Sequence, residues 1–173
     1  MLEIRLAETA EEREQVFKLR YQVYIEELGW CYPDADHKYR RMEDTLDISA
    51  NIFIAWELGQ VVGTVRCNYV RNSNLESYLN LYKMHEFAED AYLDSSISTR
   101  FMIKKEFRGT TLAKRLIIAK HKQKLIDKIK FDFIDVPPHM TPFYQRLGYQ
   151  IIGAINYPGY GEWPVMVLDV LNY

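Results

Sequence analysis

Polar and apolar positions alternate from the start of the chain. "EIRLAE", residues 3–8, has the two-residue period of a strand. Thr9 then offers an N-cap and Glu12 the reciprocal position of a capping box, so a helix is predicted from "TAEEREQ" to Gly29. At about 100° per residue, Val16, Phe17, Leu19, Tyr21, Val23, Tyr24 and Leu28 cover one broad arc of that helix. Lys18, Gln22 and Glu26 lie opposite, but Arg20 falls inside the apolar arc, with Glu27 close by. Two accounts fit Arg20: a packed stem whose head reaches solvent or a structural acid, or a guanidinium held under a polar cavity.

Residues 30–50, "WCYPDADHKYRRMEDTLDISA", have no period and are expected to form a long functional or covering loop. "NIFIAWEL" and "VVGTVRCNYV" predict a hairpin turning at "GQ". "NSNLESYLNLYKMHEFAED" predicts one or two short helices, and "SISTRFMIK" a strand. "GTTLAKRLIIAKHKQKLIDK" is helical, with a seam of Leu112, Leu116, Ala119 and Ile126. "FDFIDV" is a strand ended by two prolines. "MTPFYQRLG" is a short helix stopped by Gly148, and "YQIIGAINY" and "WPVMVLDVL" form an antiparallel pair around "PGYGE". This order predicts an α/β layered fold, with a central sheet flanked by helices, over residues 1–173 as a single domain.

The length of 173 residues suits one sizeable core. A net charge of −2 gives no broad attraction to nucleic acid or membranes, although residues 103–124 are locally basic. Cys31 and Cys67 form neither a metal motif nor a disulfide framework. The sequence shows no signal peptide and no apolar run of membrane-spanning length, so a cytoplasmic location is expected. Thirteen tyrosines are many for this length and suggest a pocket or interface of mixed character. His37 and His85 lack metal-ligand spacing, and no metal is expected. Cys67 alternates with Val65 and is expected to be buried.

"RGTTLA" follows a strand and opens a helix, a context whose free N–H groups can hold phosphates. Arg108 adds charge there; with one glycine, Gly109, an ordinary strand–helix turn also fits.

"FMIKKEFRGTTLAKRLI" followed by "FYQRLGY" resembles the GNAT acyltransferase superfamily. The resemblance implies a central mixed, twisted sheet splayed between its fourth and fifth strands. It also implies a donor site on Arg108, Gly109, Thr110, Thr111 and Ala113 and on the backbone of Phe101, Met102 and Ile103. Thr111 stands where that loop usually has glycine, which leaves open whether the donor is an acyl-CoA or the acyl-phosphopantetheine of an acyl carrier protein. "LRYQVYIEELGW" is similar to the first helix of the acyl-homoserine-lactone synthases and long-chain N-acyl amino acid synthases. That branch implies a substrate cavity lined by Arg20, Tyr24 and Trp30, by Asp44 and Asp47 of "EDTLD", by Arg66 of "GTVR" and by Arg100 of "TRF". Ile97 stands where the lactone synthases carry glutamate, which argues against a homoserine-lactone product.

The implied activity is acyl transfer from a thioester to the primary amine of an amino acid or related small molecule. Tyr144 is the residue expected to assist thiolate departure, or else an anchor of its short helix. His139 is a candidate base, or a helix cap; Glu43, Asp44 and Asp47 compete with it. Trp30, Tyr24, Met102 and Met84 could line an acyl tunnel or belong to ordinary core. Two other functions fit: an acetyl-CoA-dependent N-acetyltransferase, and a non-catalytic acyl-thioester or acyl-carrier-binding protein.

Overall fold

The structure, a computed structural model, describes residues 1–33 and 35–172, with residues 88–91 described by their backbone alone. The strands are β1 (Glu3–Leu6), β2 (Asn51–Glu57), β3 (Gln60–Tyr69), β4 (Ser95–Ile103), β5 (Phe131–Asp135), β6 (Gln150–Tyr157) and β7 (Gly161–Asp169). The α-helices are α1 (Ala10–Tyr21), α2 (Glu76–Leu81), α3 (Met84–Ala88), α4 (Leu112–Ile126) and α5 (Thr141–Gln145). Strand order is β1-β2-β3-β4-β5-β7-β6. The β4–β5 pair is parallel, and β1–β2, β2–β3, β5–β7 and β6–β7 are antiparallel, so the sheet is mixed. The chain packs as two compact units, one of Met1–Cys67 with Arg100–Lys120, the other of Asn68–Thr99 with His121–Tyr173.

In the first unit, α1 starts at the capping box read from the sequence. Glu12 N–H donates to Thr9 Oγ1 at 3.1 Å, and Thr9 N–H to Glu12 Oε2 at 3.1 Å. Val16, Phe17, Leu19 and Val23 pack with Ile52, Ile54, Val61 and Met102 to form the core of this unit. Helix α4 approaches β3 at Gly63, where a Cβ would lie 3.1 Å from Leu116 Cδ1.

The first helix does not run to Gly29 as one α-helix. It changes at Gln22–Glu27 to a π-helix, in which Leu28 N–H reaches back five residues to Val23 O. Gly29 then reverses the chain at φ +66°, and Trp30 N–H closes on Tyr24 O at 2.9 Å. The β2–β3 turn also shifts by one residue. Glu57 and Gln60 pair, and Leu58 and Gly59 take the positive φ values that a two-residue I′ turn requires.

The 30–50 loop contains a 3₁₀ helix, Thr45–Ser49, capped by Asp44 and braced by Asp47. Asp44 N–H donates to Asp47 Oδ2 at 2.9 Å, and Leu46 N–H donates to Asp44 Oδ1 at 3.0 Å. The two acids three apart are thus held to each other by local backbone hydrogen bonds as well as by the arginines.

In the second unit, the β4–β5 register runs from Ser95↔Phe131 to Ile97↔Phe133, only three pairs within strands of nine and five residues. The seam read for α4 holds at Leu112 and Leu116 but fails at Ile126, which is 72% exposed. The inward face continues instead through Lys120, His121 and Lys124, because positions 116, 120 and 124 repeat on one side of the helix. Lys124 is ion-paired with Asp132 and donates to Ser98 Oγ at 3.0 Å, which makes its burial tolerable. Ser96 and Tyr149 also donate to Asp132, and Tyr149 meets His121 Nε2.

Candidate active site

Arg20 lies in the last turn of α1 and is 1% exposed. Its Nη1 donates to Asp47 Oδ2 at 2.7 Å and its Nη2 to Asp47 Oδ1 at 2.8 Å. Its Nε is buried without a partner, and the guanidinium stands 5.2 Å from the Phe17 ring centre. Arg66 on β3 donates to Asp44 Oδ1 and, at 3.3 Å, to Asp47 Oδ1. Arg100 on β4 donates to Asp44 Oδ2 at 3.2 Å. The result is a continuous chain, Arg20–Asp47–Arg66–Asp44–Arg100.

The chain runs from a buried half to a more exposed one. The side chains of Arg20, Asp47 and Arg66 are 1% exposed, that of Arg100 19% and that of Asp44 31%. Burial favours neutral Asp47, but the hydrogen bonds and charge of Arg20, with Arg66, outweigh it and hold the carboxyl below its usual range. Burial lowers Arg20. Burial also opposes the charge on Arg100, yet Tyr24, Tyr32 and Asp44 more than offset it and raise its affinity for the proton. Three guanidinium groups thus meet two carboxyl groups along the chain, and its less buried end is Arg100, whose charge the surroundings favour.

Arg100 has φ +55°, a left-handed conformation rare for a non-glycine residue in a strand. It carries the guanidinium onto two tyrosines, 5.2 Å from the Tyr24 ring centre and 5.1 Å from that of Tyr32. Tyr24 stacks on Trp30 at 5.2 Å and 16°. Tyr24 projects from the π-helix, so the local change of register is what supplies this wall. Tyr32 was not among the residues singled out from the sequence; its signal was an aromatic two positions beyond Trp30.

The expected donor residues lie in the same unit. Met102 and Ile103 are buried and Phe101 half-buried at the end of β4. Arg108 Nε donates to Ile103 O at 2.8 Å, and its Nη2 donates to Glu27 Oε2 at 2.5 Å. Gly109 turns at φ +77°. Thr110 Oγ1 donates to Phe107 O at 2.7 Å and accepts from Leu112 N–H at 3.2 Å. Thr111 is exposed, and Ala113 lies in the first turn of α4.

Glu43 is exposed and pairs with Arg41 at 2.7 Å, and Arg41 also holds Glu14. In the second unit, Tyr144 is buried and meets Phe143 and Tyr149 edge-on at 5.2 and 5.3 Å. His139 is exposed on the 3₁₀ turn Pro138–Met140. Asp135 is held by the hydroxyls of Tyr82 and Tyr157, and burial, then Asp135, raises the Tyr82 phenol. A cavity of about 280 Å³ in this unit is lined by Tyr82, Phe87, Gly153 and Val165 among others, and not by Met84. His37 bonds Tyr21, Cys67 is buried and Cys31 is exposed. Among the described residues, no group of three or more His, Cys, Asp or Glu is placed to hold a metal, and no helix is long and apolar enough to cross a membrane.

The fold and the family match together place the chain in the GNAT-fold acyltransferase superfamily, in the branch resembling acyl-homoserine-lactone synthases and N-acyl amino acid synthases. Within it, the chain belongs to the family described as N-acyl amino acid synthase FeeM, whose model matches residues 15–170. FeeM from uncultured soil microbes is a structural neighbour at 17% identity and TM-score 0.76, covering 100% of this chain and 94% of that one. The acyl-homoserine-lactone synthase LasI aligns at 17% identity and TM-score 0.78, over 98% and 90% of the two chains. The CoA-dependent acyl-homoserine-lactone synthase BjaI, with MTA, aligns at 19% identity and TM-score 0.77, over 93% and 77%. Among curated protein sequences, none matches the chain.

Proposed function

We propose that the protein transfers an acyl group from a thioester to the primary amine of a small acceptor that carries a carboxylate, an amino acid or a close relative. The observation that carries this reading is the chain of three arginines and two aspartates, cationic at its less buried end. An acceptor carboxylate supplies the missing negative charge, and Arg100 offers it a planar fork already held by Tyr24, Tyr32 and Asp44. Buried Ile97 supports the exclusion of a lactone product, since no acid stands at that position.

In this reaction the amine nitrogen attacks the thioester carbonyl carbon. A C–N bond forms, the C–S bond breaks, the amine loses a proton and the thiolate gains one. Backbone N–H groups at Phe101, Met102 and Ile103 are proposed to polarise the carbonyl. Tyr144 is proposed to protonate the thiolate, with His139, Glu43 and Asp44 as candidates to receive the amine proton; Asp47, buried with both oxygens on Arg20 and its carboxyl held below the usual range, serves to position Arg20 instead. The donor is a CoA or phosphopantetheine thioester, with its phosphate at Arg108, Gly109, Thr110, Thr111 and Ala113. That loop fits a phosphate through the Arg108 charge and the turn at Gly109.

The test is incubation of the purified protein with acyl-CoA, or with acyl-loaded carrier protein, and a mixture of amino acids, followed by mass spectrometry. An N-acyl amino acid is expected, with its yield collapsing in Arg100→Met. Transfer of acetyl groups alone would assign the protein as an N-acetyltransferase. A bound thioester that never turns over would assign it as a binding protein.

A further inference from the structure

We infer that Glu27 sets donor choice, biasing the site toward a donor with a single phosphodiester and against the pyrophosphate of CoA. This rests on the assignment of the Arg108 loop as the donor phosphate site. Arg108 is the cationic head of that loop, yet the edge of its guanidinium formed by Nε and Nη2 is already engaged. Nε is anchored on Ile103 O, and Nη2 faces the Glu27 carboxylate at 2.5 Å. The Glu27 side chain is more buried than its partner, 21% exposed against 42%, so it is the less mobile member of the pair. Gln22 Nε2 steadies the other carboxylate oxygen at 3.3 Å, across the π-helix.

The loop's backbone is also partly satisfied from within. Thr110 Oγ1 caps Leu112 N–H, one of the donors at the start of α4 that an anion would otherwise take. An incoming phosphate therefore meets an arginine whose charge is balanced and a helix end whose capping has begun. Coulomb repulsion from the fixed Glu27 charge grows with the charge of the ligand. It weighs more heavily on the pyrophosphate and ribose phosphate of CoA than on the single phosphodiester of a carrier's arm. The same carboxylate sits at the end of the segment that carries Tyr24, so its place is fixed by the wall of the acceptor site.

The experiment titrates CoA and the methyl ester of 4′-phosphopantetheine, a single phosphodiester, into the wild type, Glu27→Gln, Glu27→Asp and Arg108→Ala. Glu27→Gln is expected to tighten CoA about three- to fivefold, the scale of one partly exposed charge, and the diester less than about twofold. KM for acyl-CoA should fall in Glu27→Gln while kcat holds, and Glu27→Asp should keep the wild-type preference. Equal shifts for both ligands, or none, would overturn the role of Glu27 when Arg108→Ala still weakens both. If Arg108→Ala leaves both affinities unchanged, the donor-loop assignment fails and the inference with it.

Discussion

Asp47 holds the Arg20 guanidinium by both ends, Nη1 at 2.7 Å and Nη2 at 2.8 Å, with both side chains 1% exposed. The aspartate is not free to move toward the arginine or away from it. Its Oδ2 also accepts Asp44 N–H, and its own carbonyl accepts from Arg13 Nη1 at 2.9 Å. A bidentate pair so placed offsets the desolvation of both charges and sets the position from which Arg66, Asp44 and Arg100 are arranged.

Removing one member leaves the other charged and buried. Arg20→Met keeps the aliphatic stem, and Asp47→Asn keeps the shape. Each is expected to lower unfolding free energy by about 3–5 kcal/mol, and the double variant by less than the sum. Urea denaturation of the four proteins measures this. Additive losses would show that the two side chains do not act as a pair.

The tyrosine wall on Arg100 should act on substrate affinity more than on stability. Tyr32→Leu removes an aromatic face from the guanidinium, worth about 0.5–2 kcal/mol, so KM for the acceptor should rise about twofold to thirtyfold. Tyr32→Phe keeps the face and should stay close to wild type. Steady-state kinetics decide it: equal behaviour of the two variants would remove cation–π contact as the cause.

Tyr144→Phe deletes one hydroxyl from a buried ring and keeps its edge contacts with Phe143 and Tyr149. If the phenol assists thiolate departure, turnover falls roughly tenfold to a thousandfold with the fold intact. Wild-type turnover under conditions where chemistry limits the rate would assign Tyr144 to packing.

Acid stability should depend on Glu12. Its hydrogen bond with Arg5 opposes the effect of burial and, with the N–H groups of Glu8 and Thr9, lowers the carboxyl from 4.5 to about 2. A folded-state value below the unfolded one means that the unfolded chain takes up the proton first as pH falls. The contribution is complete above about 4.5 and is lost as pH drops toward about 2. Glu12→Gln should be less stable at neutral pH and should show a flatter loss of stability across that window. A pH–stability curve parallel to wild type would remove Glu12 as its origin.

What the sequence determined by itself was local. The Thr9–Glu12 capping box, the strands and the place of Arg20 on the apolar arc were legible because each depends on neighbours within a few positions. The Asp44–Asp47 pair was legible through a family pattern, and its spacing of three also makes a cap. The tertiary structure decided the rest. Nothing near Arg100 announces φ +55°, and nothing in "LRYQVYIEELGW" announces a π-helix, yet these two local departures bring Arg100 onto Tyr24 and Tyr32. Lys120 and Lys124 belong to a stretch that reads as locally basic, and both lie inside. Lys124 does so because Asp132 and Ser98, on two other elements, supply the charge and hydrogen bonds that its burial requires. Periodicity reports which side of an element faces inward; which distant residue waits there is set by strand order and register, and a buried charge is tolerated only where that partner arrives.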